Sequence, residues 1–170
     1  MRRVPSLLHH PKIRYGDHLP VLIQAVTRTS GPIVELGGGF YSTPYLHWAC
    51  FNKNRPLATY DNEPTFANFL SAFQTDYHKV QLVEDWDTID LSGPISVAFV
   101  DHAPAERRIM DMRRLLHAEY VVAHDTEERR NHHYRWDLIH DLFKYRYRYR
   151  SRLHGTSVFS NVHDVSRIME

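Results

Sequence analysis

The sequence predicts an α/β protein: a doubly wound, mostly parallel sheet with helices on both faces and a C-terminal antiparallel strand pair, a three-layer sandwich. Three observations carry this. Short apolar runs rich in β-branched residues alternate with segments of helical spacing from Pro20 to Asp125. The run from Ile33 to Leu36 stops at Gly37-Gly38-Gly39 and feeds an amphipathic segment that begins at Ser42. Near the end, Lys144 to Arg150 alternates strictly between basic residues and tyrosine, the period of a strand.

Val21, Leu22, Ile23, Ala25 and Val26 mark a helix over Pro20 to Arg28, broken by Gly31-Pro32. The first strand, Ile33 to Leu36, leads to a helix from Ser42 to about Phe51 with Tyr45, Leu46, Ala49 and Cys50 at helical spacing. Pro56 to Tyr60 reads as a second strand ending at Asp61. Pro64 to Phe73 reads as a helix with Phe66, Phe69, Leu70 and Phe73 on one face. Lys79 to Val83 is a third strand, ending in the acidic loop Glu84-Asp85-Trp86-Asp87. After the Gly93-Pro94 turn, Ile95 to Val100 is apolar enough for burial on both faces and ends at Asp101. Glu106 to His117 is a helix with Ile109, Met112, Leu115 and Leu116 inward. Tyr120 to Ala123 is the fifth strand, ending at His124-Asp125. Glu127 to Tyr134 reads as a polar loop over the same edge. Trp136 to Phe143 again has helical spacing. The Tyr/Arg strand and a strand over Thr156 to Ser160 would then pair antiparallel, and the parallel crossovers would be right-handed. No repeat or linker divides residues 1–170, so a single domain is expected.

The 170 residues carry a net charge of +1 with histidine neutral, which suits one globular domain and exerts no general pull toward nucleic acid or an anionic membrane. Cys50 stands alone, which excludes an internal disulfide framework and suits a reducing compartment. Met1 to Pro11 has only Leu7-Leu8 as an apolar pair, too little for a signal-peptide core, and no apolar run approaches the ~20 residues of a membrane helix. A cytoplasmic protein without a membrane partner is therefore expected. The histidines are scattered; His9-His10 and His132-His133 are adjacent, so each pair points two ways and does not converge on a metal.

In a parallel sheet the carboxyl ends of the strands open on one edge, where ligands bind. Glu35, Asp61, Glu84 with Asp85, Asp101 and Asp125 all fall at such ends. Like charges gathered together repel, so the pattern predicts a ligand with hydroxyls, amines or positive charge. S-Adenosylmethionine has all three. Asp61, about two dozen residues past the glycines, is placed for ribose hydroxyls. Asp85 is placed for the adenine amino group, with Trp86 against the ring. Glu35 is placed to orient the glycine turn and meet the amino-acid end.

Val34-Glu35-Leu36-Gly37-Gly38-Gly39 resembles motif I of the class I S-adenosylmethionine-dependent methyltransferases. Leu57-Ala58-Thr59-Tyr60-Asp61 resembles their second motif, Leu82-Val83-Glu84-Asp85 the adenine-side loop, and Val97-Ala98-Phe99-Val100-Asp101 the fourth-strand motif. The late Tyr/Arg strand with Thr156 to Ser160 resembles their final antiparallel pair. The likeness runs in order from about residue 20 to residue 165, with Tyr41 standing at the family's third glycine. It implies a Rossmann-like transferase that holds the cofactor with Glu35, Gly37, Gly38, Gly39, Phe40, Tyr41, Asp61, Asn62, Asp85, Trp86 and Asp101. A nicotinamide or flavin dinucleotide is the competing cofactor, but its Gly-x-Gly-x-x-Gly pattern fails at Ser42.

A methyl sulfonium is already electrophilic, so the protein has mainly to position the acceptor in line. His102, beside Asp101, is the candidate general base; its other reading is a residue packed under the next helix. Asp101 and Asp125, with Asp111 or Glu127, resemble the acids of magnesium-dependent O-methyltransferases, which would add a divalent cation on hard oxygen ligands. The Asp-Asn pair of the catechol type is absent, since Thr126 follows Asp125. The segment from Lys144 to Arg152 would either grip a nucleic acid or anionic acceptor, or form a plain strand with tyrosines inward. With little chain beyond the core fold, methyl transfer to an oxygen or nitrogen of a small-molecule acceptor, or a pocket completed by a second copy in a homodimer, is expected over a large polymer. The alternatives are a non-catalytic cofactor-binding or interaction module on the same fold and a nucleic-acid methyltransferase using the Tyr/Arg strand.

Overall fold

Seven strands form one sheet: β1 (Ile33–Leu36), β2 (Leu57–Asp61), β3 (His78–Leu82), β4 (Val97–Val100), β5 (Tyr120–His124), β6 (Tyr145–Arg150) and β7 (Gly155–Ser160). Their order is β3-β2-β1-β4-β5-β7-β6. The first five run parallel, and β7 is antiparallel to both β5 and β6. The computed structural model describes residues 12–151 and 154–170. The expectations for Met1 to Pro11, His9-His10 among them, and the basic Arg152 lie outside the described residues. The chain winds outward from β1 to β3, then returns to β4 beside β1. This reversal is the switch point at which α/β sheets open a crevice.

The residue alternation sorts the core into two layers. Ile33, Val97, Phe99, Val122 and Val158 face α1 (Leu19–Thr27) and α2 (Ser42–Phe51). Val34, Leu36, Ala98, Val100, Val121, Ala123 and Phe159 face α4 (Arg107–Arg114) and a 3-10 segment, Trp136–Leu142. Pro20 opens α1, where a missing N–H costs nothing. Glu63 caps α3 (Pro64–Leu70), its carboxylate accepting from the Phe66 N–H at 2.9 Å.

Several elements differ from the sequence reading. The helix expected to reach Phe73 leaves α geometry at Leu70 and finishes as the tight turn Ser71–Phe73. Of its four predicted inward residues only Leu70 is fully buried. Phe66 and Phe69 instead meet Phe40, with ring centroids 5.5 and 5.2 Å apart. The predicted loop at Glu127 to Tyr134 contains a 3-10 turn, Glu128–Arg130, and a short α5 (Asn131–Tyr134), anchored by the Tyr134 hydroxyl donating to Asp125 Oδ2 at 2.9 Å. On β6 the tyrosines pack on the α1-side core while Arg146, Arg148 and Arg150 are exposed, so the plain edge-strand reading fits. Among the described residues no helix is long and apolar enough to cross a membrane.

Candidate functional site

Close backbone approach explains the glycine turn. Gly37 adopts φ +88°, and a Cβ there would lie 2.6 Å from the His102 backbone. On Gly38 a Cβ would fall 2.1 Å from Leu70 Cδ1, so this glycine lets α3 pack on the turn. A strand-to-helix glycine turn commonly brings bare amides close to a ligand, but the structure commits these amides inside the protein. Gly37 N–H donates to the Tyr60 carbonyl at 2.8 Å, Gly38 N–H to Asp61 Oδ2 at 3.0 Å, and Gly39 N–H to Thr43 Oγ1 at 3.0 Å. These glycines therefore offer no anion cradle of free N–H groups.

Asp61 braces this turn. Its other oxygen accepts from Glu63 N–H at 2.8 Å, and burial raises its pKa against those amide donors. Its remaining lone pairs are what a ribose hydroxyl could use. Asn62 and Asp85 are exposed beside the strand ends; Asp85 accepts from Asp87 N–H at 2.9 Å. Trp86 departs from its expected place against an adenine. It is buried, its Nε1 donates to the Ala103 carbonyl at 3.0 Å, and its ring lies 4.2 Å from that of His102.

Glu35 departs as well. It is fully buried, and its Oε2 accepts from Thr43 at 2.8 Å and Thr59 at 2.7 Å. Its Oε1 has no partner among the described residues. Desolvation pushes its pKa up to about 7 despite the hydroxyl donors. Thr59 Oγ1 also meets His78 Nε2 at 2.9 Å, and His78 Nδ1 meets His47 Nδ1 at 3.1 Å. The carboxylate thus ends a buried polar chain beneath the turn, away from the cavity.

Beyond β4 the period of two parts neighbours. Asp101 turns to the α1 side and His102 to the α4 side. There the His102 side chain has no exposure: Nε2 bonds Asp111 Oδ2 at 2.9 Å, and Asp111 is held further by Arg107 and Arg114 at 2.8 Å each. This packed position, not a base facing an acceptor, is what the structure gives His102, and Asp111 is committed with it.

On the α1 side, the guanidinium of Arg108 lies 2.9 Å from Asp101 Oδ1 and 3.7 Å from Asp125 Oδ2. It fills the bridging role that a cation between Asp101 and Asp125 would take. His124 joins Asp101 Oδ2 through Nδ1 at 3.2 Å and Asp17 Oδ1 through Nε2 at 3.0 Å. Burial works against both charges, yet the ion pairing outweighs it, holding Asp101 low and His124 high. His154 Nδ1 bonds Asp125 Oδ1 at 2.9 Å, and Glu127 pairs with Arg130 at 2.7 Å. Asp101 and Asp125 are therefore compensated by cations from elsewhere in the chain, which the sequence reading did not foresee. His18 differs: it is buried, its ring lies tilted 4.7 Å from that of Phe99, and both its ring nitrogens lack a hydrogen-bond partner among the described residues. Desolvation pushes its pKa down to about 4, so it is neutral.

These groups meet at a cavity of about 430 Å³ beside the switch point. The predicted residues Gly38, Gly39, Phe40, Tyr41, Asp101 and Asp125 line it. Glu35, Gly37, Asp61, Asn62, Asp85, Trp86 and His102 are not among its walls. Sequence reasoning missed Tyr15, His18, Phe66, Arg130 and His154. His124 carried a signal, as a polar residue ending an apolar strand; His18 and His154 are brought in from the chain before α1 and before β7. A second cavity, about 320 Å³, mixes Arg146, Arg148 and His140 with Glu127, Glu128 and Asp137.

No protein-family model matches the chain, and no curated protein matches it in sequence. Solved structures do share its fold. The cofactor-bound protein Rv0187 from MTB superposes with a TM-score of 0.67 at 14% identity, covering 95% of this chain and 85% of that one. An O-methyltransferase from Bacillus cereus in complex with SAH gives 0.64 at 15% identity, covering 92% and 84%. The N-methyltransferase NodS from Bradyrhizobium japonicum, in complex with S-adenosyl-L-homocysteine, gives 0.59 at 10% identity, covering 93% and 92%. The class I methyltransferase fold expected from the ordered motifs is the fold of this chain.

Proposed function

We propose that this chain, built on the class I methyltransferase fold, binds S-adenosylmethionine at the glycine turn and transfers its methyl group to an oxygen or nitrogen of a small molecule in the adjoining cavity. The observation that carries the reading is the turn itself. Its three glycine amides are spent within the protein, yet it opens on a cavity of about 430 Å³, in the range of small-molecule sites. A dinucleotide asks such a turn for free N–H groups around a pyrophosphate; a phosphate-free nucleoside sulfonium does not.

When bound, S-adenosylmethionine supplies a methyl group already activated for in-line displacement. The residues that would hold it are the turn from Gly38 to Tyr41, Asp61 and Asn62 at the ribose, and Asp85 at the adenine. Phe40, packed between Phe66 and Phe69, would exclude water from one side. Asp101, locked by Arg108 and His124, presents a carboxylate that stays ionised at neutral pH, a fixed partner for the cofactor's positive end. The mixed charge of the second cavity speaks for a small acceptor over a phosphate backbone, which would need an unbroken basic groove.

Calorimetry with S-adenosylmethionine and S-adenosylhomocysteine tests the reading. Both should bind, and Asp61→Ala should weaken binding by about 1–3 kcal/mol, the cost of stranding polar partners. No heat with either compound on folded protein would refute the cofactor assignment. Binding without formation of S-adenosylhomocysteine across a broad acceptor panel would favour the non-catalytic module.

A further inference from the structure

We propose that Asp17, His18 and His124 form a binding site for one divalent transition-metal ion of the zinc or iron(II) type beside the cavity at the switch point. One ligand atom from each of the three lies within 4.8 Å of the other two. His124 Nε2 and Asp17 Oδ1 are already 3.0 Å apart, about the edge expected between two ligands that sit near 2.1 Å from a common ion. The His18 and His124 rings are 4.9 Å apart and steeply inclined at 69°, so their nitrogens can approach one point from different directions.

The independent sign is His18. A buried imidazole ordinarily finds a donor or acceptor for its nitrogens, yet among the described residues this one has a partner for neither while it forms part of the cavity wall. Packing against Phe99 explains the ring's place but not its empty polar edge. An ion beside Asp17 and His124 would give one nitrogen a partner.

Each of the other two groups is oriented from behind, as metal ligands usually are. Asp17 Oδ2 accepts from His154 N–H at 2.9 Å and from the Ser151 hydroxyl, which leaves Oδ1 directed at His124. His124 Nδ1 is fixed by Asp101, itself clamped by Arg108, which leaves Nε2 for the ion. The ion would replace the proton now shared between His124 Nε2 and Asp17. Two imidazoles and one carboxylate select a borderline first-row ion over magnesium, and three protein ligands leave positions open to the cavity for water or an oxygen ligand. The site differs from the all-carboxylate pair suggested by sequence in both members and metal class. It stands whether or not the cofactor reading holds.

The test uses untagged, metal-free full-length protein. Equilibrium dialysis against Zn²⁺, Co²⁺ and Mg²⁺ separately should load one tight equivalent of Zn²⁺ or Co²⁺ and none of Mg²⁺. His18→Gln and Asp17→Asn should each weaken Zn²⁺ binding at least tenfold, while His163→Gln, which removes an imidazole beside Glu119 at the other end of β5, should leave it within threefold. Should a variant misfold, the wild type still decides: bound Co²⁺ should shift the imidazole proton resonances of two histidines. Absence of a tight equivalent, affinity unchanged in folded His18→Gln, or Co²⁺ displaced by equimolar Mg²⁺ would overturn the assignment. S-Adenosylhomocysteine titrated onto the metal-free protein reports on the cofactor reading separately.

Discussion

Two carboxylates on the α1-facing side of the same sheet, Glu35 fully buried on β1 and Asp101 half-buried after β4, are shifted in opposite directions. Glu35 has only hydroxyl donors, and desolvation dominates, raising it to about 7. Asp101 suffers desolvation too, but Arg108 and His124 overcome it and hold it low. The difference teaches that burial alone does not set the charge at this sheet edge. The partner's charge does: neutral donors leave a carboxylate that takes up a proton near neutrality, and cations fix one that does not. Beneath the glycine turn the network is a neutral brace; beside the cavity it is a charged wall.

The largest effect should come from breaking the charged half. Arg108→Met leaves Asp101 without its guanidinium and frees the carbonyls of Asp101, His102 and His124 that Arg108 also bonds. Breaking a largely buried ion pair from one side, with His124 still beside Asp101 and three carbonyls left without their donor, costs about 3–5 kcal/mol, readable as a lower urea midpoint at pH 7. A loss below about 1 kcal/mol would mean that the wall does not depend on that cation.

The neutral half should show its character in pH dependence. Because the folded-state pKa of Glu35, about 7, lies above its ordinary 4.5, its contribution is complete below pH 4.5 and lost as pH rises to about 7. That window corresponds to about 3 kcal/mol. Glu35→Gln cannot ionise and should flatten this slope, so the variant gains on the wild type at pH 8. Parallel stability curves for the two proteins from pH 4.5 to 8 would remove the contrast. Asp101 works the other way: its contribution is present above its ordinary 3.8 and fades as pH falls.

A smaller change should come from Thr59→Val. It keeps shape but strips one donor from Glu35 and one partner from His78. The expected cost is about 1–2 kcal/mol in denaturant titrations, with metal uptake at the cavity unchanged. Equal loss of metal uptake would show that the two halves act as one unit.

The strand and helix succession was legible because apolar periodicity and glycine punctuation are local. Ile33 to Leu36, Ser42 to Phe51 and the Tyr/Arg strand stand where period and breakers place them. The glycine turn was legible for a related reason: Gly37 and Gly38 mark backbone that must pass close to other chain. The strand-end acids were found, but not their partners. Arg108 reaches them from a helix, and Asp17, His18 and His154 arrive from segments distant in sequence that carry no motif. Residue types and their period thus determined the sheet and the edge at which a ligand would sit. Only tertiary packing decided that Glu35 and Trp86 turn inward, that His102 parts from Asp101, and that His18 is left bare, because charge compensation and desolvation depend on neighbours brought together through space.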